Sequence, residues 1–130
     1  MAVKRKMAPE VLEMVAARFK LLAEPLRLRI LMELDKGEMT VSEVAEAVQA
    51  TQPNISKHLK MLQEGGLLAR RQERNVVYYS IADPSSLDLC DVVCFSIRKR
   101  LSMQAGLLGR RRNGRRNKPR RSRSLRVLRG

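Results

Sequence analysis

Residues 40–68 read TVSEVAEAVQATQPNISKHLKMLQEGGLL, and two helix starts lie back to back within them. Thr40 stands three residues ahead of Glu43, the spacing of a capping box, in which a hydroxyl and a carboxylate satisfy each other's backbone N–H groups. Val41, Val44, Ala45 and Val48 then recur at helical intervals. Thr51 repeats the start signal with Pro53 in the first turn, and Ile55, Leu59 and Leu62 mark one face as far as Gly65-Gly66. Only a few residues join the two helices, so they must cross steeply, and a tight helix-turn-helix results.

Upstream, Val11, Leu12, Val15, Ala16, Phe19 and Leu22 predict an amphipathic helix over 9–22, with Pro9 in its first turn. Glu24-Pro25 interrupts the chain, and Leu26, Leu28, Ile30, Leu31 and Leu34 predict a second helix that stops near Gly37. Downstream of Gly65-Gly66 the period changes. Residues 67–72 and 76–81 are strand-like and are separated by Glu73-Arg74-Asn75, which predicts a β-hairpin. After Asp83-Pro84-Ser85, the residues Leu87, Leu89, Cys90, Val93, Cys94, Ile97 and Leu101 predict a last helix of about 20 residues. Its apolar stripe is too broad for a small solvated domain, so this helix and the first are the expected dimer surface. The expected fold is mainly α with a small β-hairpin, in the order α-α-α-α-β-β-α. Residues 1–8 are expected to be a flexible lead, 9–105 the DNA-binding and dimerisation domain, and 106–130 an Arg-rich disordered tail.

The chain has 130 residues and 14.8 kDa, enough for one domain and a remainder, which excludes a large multidomain enzyme. Its 27 Lys+Arg against 13 Asp+Glu give a formal charge of +14, unevenly spread. Residues 110–130 hold 11 basic and no acidic side chains, which leaves 16 basic against 13 acidic, or +3, for residues 1–109. A near-neutral domain followed by a cationic tail is expected. With 2 Phe, 2 Tyr and no Trp, this basicity favours a polyanion over an apolar ligand pocket. Two cysteines cannot make a disulfide framework, and Lys4, Arg5 and Lys6 lead into Glu10, Glu13, Arg18 and Lys20 rather than a secretory apolar core. A cytoplasmic protein with reduced thiols is therefore expected. No apolar run nears the roughly 20 residues of a membrane span, so only the tail retains affinity for an anionic lipid surface. With no phosphate-cradling Gly loop and no nucleophile, His and carboxylate set, no enzymatic activity is expected.

A single helix fits the major groove of double-stranded DNA, and the one beginning at Thr51 carries Gln52, Asn54, Ser56, Lys57, His58 and Lys60 outside its apolar stripe. Gln and Asn pair bidentately with adenine edges, Lys reaches guanine or phosphate, and Ser offers one hydrogen bond to either. Arg70, Arg71 and Arg74 surround the hairpin tip, where a wing would track the backbone or the minor groove. Scattered lysines usually mean a solvated face, and a lone histidine beside Leu59 is usually a satisfied interior or surface one. The helix-turn-helix setting and the nearby arginines turn both toward DNA. Tyr78 and Tyr79 are neighbours in a strand and point to opposite faces, so one packs inward; Tyr79 is assigned to DNA.

The stretch Thr51 to Leu68, TQPNISKHLKMLQEGGLL, contains Q-x-x-x-S-x-H-L-x-x-L-x-x-x-G-L at Gln52, Ser56, His58, Leu59, Leu62, Gly66 and Leu67, followed by Arg71 or Arg74 and by Tyr78-Tyr79. Earlier, Leu22-Ala23-Glu24-Pro25-Leu26-Arg27-Leu28-Arg29-Ile30-Leu31 fits L-x-x-P-x-R-L-x-I-L. Together these ordered blocks, over about residues 10–103, resemble the arsenic-repressor (ArsR/SmtB) family of bacterial winged helix-turn-helix regulators. The resemblance implies a homodimeric repressor that binds a palindromic operator and leaves it when an inducer reaches the dimer, in the bacterial cytoplasm and at the nucleoid when on DNA.

Metal-sensing members of that family carry a Cys-x-Cys box on the helix ahead of the recognition helix, or a His/Asp/Glu set on the last helix. Here the matching stretch Glu38-Met39-Thr40-Val41-Ser42-Glu43 has no Cys and the last helix has no His, so neither zinc site is expected. What remains is Cys90 and Cys94, one turn apart on a helix face. No cofactor is required. Three readings of the pair stay open: soft donors for arsenite or another thiophilic ion, with a third ligand from water or the partner subunit; persulfide or disulfide chemistry; or packing in the dimer core. Asp88 and Asp91 disfavour thiolates while the spacing favours a pair. The rival function from another class is a non-specific nucleic-acid-binding protein that acts through the Arg-rich tail.

Overall fold

The computed structural model describes residues 6–111. Along them run α1 (Pro9–Leu22), α2 (Pro25–Leu34), β1 (Met39–Thr40), α3 (Val41–Val48), α4 (Gln52–Glu64), β2 (Leu68–Glu73), β3 (Val76–Ile81) and α5 (Ser85–Arg111). The chain divides between Asp83 and Pro84 into two compact units, with α1 to β3 in the first and α5 in the second.

Local chemistry explains where the elements of the first unit begin. Pro9 and Pro25 occupy the first turns of α1 and α2, where a missing N–H has no helical partner to lose. At α3 the capping box is complete: the Glu43 N–H donates to Thr40 Oγ1 at 3.2 Å, and the Thr40 N–H donates to Glu43 Oε1 at 3.0 Å. Gln49 ends α3 in the left-handed region at φ 55°, which turns the chain within two residues to Thr51. There Thr51 Oγ1 accepts the Asn54 N–H at 3.4 Å and opens α4. Gly66, at φ +81°, reverses the chain after α4, and the Leu67 N–H donates to the Leu62 carbonyl at 3.0 Å.

Ile30, Leu31 and Leu34 of α2, Val44, Ala45 and Val48 of α3, and Ile55, Leu59 and Leu62 of α4 are buried, together with Leu22, Leu67 and Leu68. Each fully buried Leu or Ile contributes roughly 1.5–3 kcal/mol, so the three apolar stripes are what fix α4 on its neighbours. At the edge of this unit, Arg18 of α1 donates from Nη1 to Asp83 at 2.8 Å and so ties the first helix to the residues that follow β3.

The sheet differs from the expected hairpin. Its strands stand in the order β1-β3-β2, all antiparallel, with Met39 opposite Tyr79 and Thr40 opposite Tyr78. β2 and β3 pair from Leu68 opposite Ile81 to Glu73 opposite Val76, across a two-residue connection in which Arg74 has φ 57°. Two residues are too short for any period, so β1 is invisible to pattern reading and exists because β3 offers a free edge.

The second unit is the helix α5, 27 residues long. It continues past the boundary expected at residue 105, through Gly106 to Arg111. One glycine inside a helix costs only about 1 kcal/mol, and leucine and arginine around it are good helix formers. Val92, Val93, Phe95, Ile97, Leu101, Met103 and Leu107 are exposed on it. The remainder of the expected tail, 112–130, and most of the expected flexible lead, 1–5, lie outside the described residues. Among the described residues no helix is long and apolar enough to cross a membrane.

Candidate nucleic-acid interface

Because Ile55, Leu59 and Leu62 are fully buried, the opposite side of α4 is left for solvent. Gln52, Asn54, Ser56, Lys57 and Lys60 all lie exposed there. Gln52, Ser56 and Lys60, four residues apart, form a line along the helix, and Lys60 reaches Glu64 at 4.0 Å in an exposed pair worth little. This outward row offers amide, hydroxyl and ammonium groups on a rigid rod beside the tight turn from α3.

His58 departs from the set. It lies at the border of the buried stripe, on the flank away from Gln52 and Ser56, and is half-buried, with Nδ1 shut off from solvent and without a hydrogen-bond partner. Burial pushes its imidazole pKa below the ordinary value, and the positive charges of Arg27 and Lys57 act in the same direction, against Glu24. Nδ1 is thus closed to a base, which narrows the DNA contact expected of His58 to Nε2.

Tyr79 is a correction. It is the inward-facing tyrosine, 8% exposed, and Tyr78 is the outward one. The strand alternation foreseen is present with the opposite hand, because Tyr79 shares its face with the apolar side of the sheet.

Arg70 and Arg74 are exposed and form no ion pair among the described residues. Arg71 is engaged on every nitrogen: Nε and Nη2 donate to the two oxygens of Glu38 at 3.0 and 2.6 Å, and Nη1 donates to Glu73 at 2.6 Å. Its guanidinium carbon lies 4.6 Å from the centroid of the Tyr78 ring. The hydrogen bonds from Arg71 hold the Glu38 carboxyl below its ordinary pKa, and those to Glu38 and Glu73 raise the guanidinium's. The phosphate contact expected of Arg71 is thus occupied by carboxylates. The role of Glu38 escaped sequence reading because its partnership with Arg71 exists only once β1 is known to flank β3.

Cys90 and Cys94 are free, half-buried thiols on α5. Burial and the neighbouring Asp91 push the Cys90 thiol up, toward the protonated form. Among the described residues no three His, Cys, Asp or Glu side chains come together in an arrangement that could hold a metal ion.

Residues 24–70, which run from the start of α2 through α4 into β2, match the family model described as bacterial regulatory protein, arsR family. The chain is 37% identical over 71 residues to a probable mercury resistance operon repressor of Streptomyces lividans, an alignment covering 55% of this chain and 57% of that protein. It is 40% identical over 65 residues to the arsenical resistance operon repressor of Escherichia coli, covering 49% of this chain and 56% of that one. The chain thus spans little more than half the length of these two relatives. In solution, the homodimeric winged helix-turn-helix DNA-binding domain from Mycobacterium bovis superposes with TM-score 0.65 at 33% identity, over 78% of this chain and 94% of that one. The order of elements agrees with the winged helix-turn-helix fold of that domain. The chain belongs to the bacterial ArsR family and has its winged helix-turn-helix fold.

Proposed function

We propose that this chain is a transcriptional repressor that binds a palindromic DNA operator as a homodimer, with α4 in the major groove and Arg70 and Arg74 of the wing against the phosphate backbone. The observation that carries this is the outward row of Gln52, Asn54, Ser56, Lys57 and Lys60 on a helix whose other side is fully buried. Such groups on a rigid helix serve base readout, and the two free arginines serve register. The names of the relatives, repressors of mercury and arsenical resistance operons, support the same reading.

The test is a duplex selected by the full chain from a randomised library. A specific regulator prefers it over random duplex by a factor on the order of 10³ or more. Replacing Gln52, Asn54 and Ser56 together by Ala is expected to abolish that preference. Loss of preference on removal of the Arg-rich tail instead would favour the non-specific alternative.

For the inducer, the soft donors of this chain are Cys90 and Cys94, which suit a thiophilic ion such as arsenite. Two cysteines, of which Cys90 is held toward the protonated form, leave the donor set incomplete among the described residues of one chain. The double variant Cys90→Ser/Cys94→Ser is expected to stay on operator DNA when arsenite or a persulfide donor releases the wild type. Release equal to wild type would assign the pair to packing.

A further inference from the structure

The engaged arginine of the wing has a geometry of its own. Thr40 of β1, Tyr78 of β3 and Arg71 of β2 stand in line across the sheet, so their side chains share one face. Glu38 lies two residues before Thr40, and Glu73 two residues after Arg71. The Arg71 side chain crosses over Tyr78, the residue of the middle strand, to reach Glu38 on the far side, with the ring centroid 4.6 Å below its guanidinium carbon. β1 makes only two residue pairs with β3, yet its Thr40 is also the cap of α3. The fork on Glu38 therefore joins the outer wing strand to the strand that opens the helix-turn-helix.

We propose that Arg71 is a positioning residue, a strap that sets the wing relative to α3 and α4, and not a phosphate contact. The proposal rests on the DNA-binding function given above. A phosphate that took Arg71 would have to displace a bidentate carboxylate and would then sit beside two carboxylates of like charge. Arg70 and Arg74, with no such competitors, carry the wing's contact with the backbone.

The experiment uses the full chain and the duplex it selects from a randomised library. In Glu38→Gln, the strap loses its charged partner while the surface beside the wing loses a negative charge. Affinity is expected to fall about five- to tenfold with the melting midpoint unchanged, because the wing is mispositioned and the fold is not. Arg71→Lys keeps the charge and loses the fork, and is expected to fall by a similar factor without change in the salt dependence. In the wild type, the Arg71 Nε–H resonance is expected to be sharp in the free protein and unmoved by the duplex. Binding by Glu38→Gln as tight as wild type or tighter, or a shifted Nε–H resonance with Arg71→Lys at full affinity, would overturn the proposal and leave the DNA-binding function standing. Failure of the wild type to select any duplex would remove that function, and the proposal with it.

Discussion

His58 shows how one side chain of α4 serves the fold when its neighbours serve the outside. Its Nδ1 is closed off without a partner and its pKa is pushed down by burial first, then by Arg27. A histidine that prefers to stay neutral when folded binds fewer protons in the native state than in the unfolded chain. Its stabilising contribution is therefore complete above the unfolded value of about 6.5 and is lost as pH falls below it through the depressed folded pKa. Melting temperature is expected to decline between pH 7.5 and pH 5.5 in the wild type and to decline less in His58→Gln, which cannot titrate. Equal slopes in the two proteins would mean that His58 is not the titrating group. The Glu38 carboxyl, held below its ordinary pKa by Arg71, ionises below this window and does not confound the comparison.

Thr40 ends β1, caps α3 and pairs with Tyr78, three roles on one residue. Thr40→Ala removes the side-chain half of the capping box and is expected to cost about 1 kcal/mol of unfolding free energy in urea denaturation. Gly66→Ala, which forces a side chain into φ +81°, is expected to cost about 1–2 kcal/mol in the same assay. A cost near zero for either would sink the corresponding account of how α3 starts or α4 ends. These local devices were legible in the sequence, as were α1 to α4 and the hairpin, because caps, prolines, glycines and apolar spacing act within a few residues. β1 was not, since its two residues become a strand only by tertiary pairing. For the same reason Arg71 read as a free cation: the carboxylate that takes two of its nitrogens comes from across the sheet, 33 positions away at Glu38. Strand alternation told that one of Tyr78 and Tyr79 is buried, but not which, because a one-residue change of register exchanges the faces.

Charge and exposed apolar surface belong to the molecule as a whole, and they lead to separate outcomes. Met14 of α1 and Phe95 of α5 are each 71% exposed, large apolar groups whose cost in water a second copy of the chain would relieve. Phe95→Glu is expected to shift the chain toward monomer in sedimentation velocity at unchanged helical content, and with it to weaken binding to a duplex carrying two half-sites. An unaltered sedimentation coefficient would exclude α5 from the dimer surface. The tail acts differently. Of the 27 basic residues, 11 fall in 110–130, beyond the residues 24–70 that match the family model. Cations there can contact phosphates of any sequence, and each contact adds about 0.9 to the slope of log affinity against log salt. Deleting residues 112–130 is expected to weaken binding to selected and random duplexes alike and to make the salt dependence shallower, while the preference between them holds. If the preference disappears with the tail, base readout does not reside on α4, and the row from Gln52 to Lys60 is a solvated helix face.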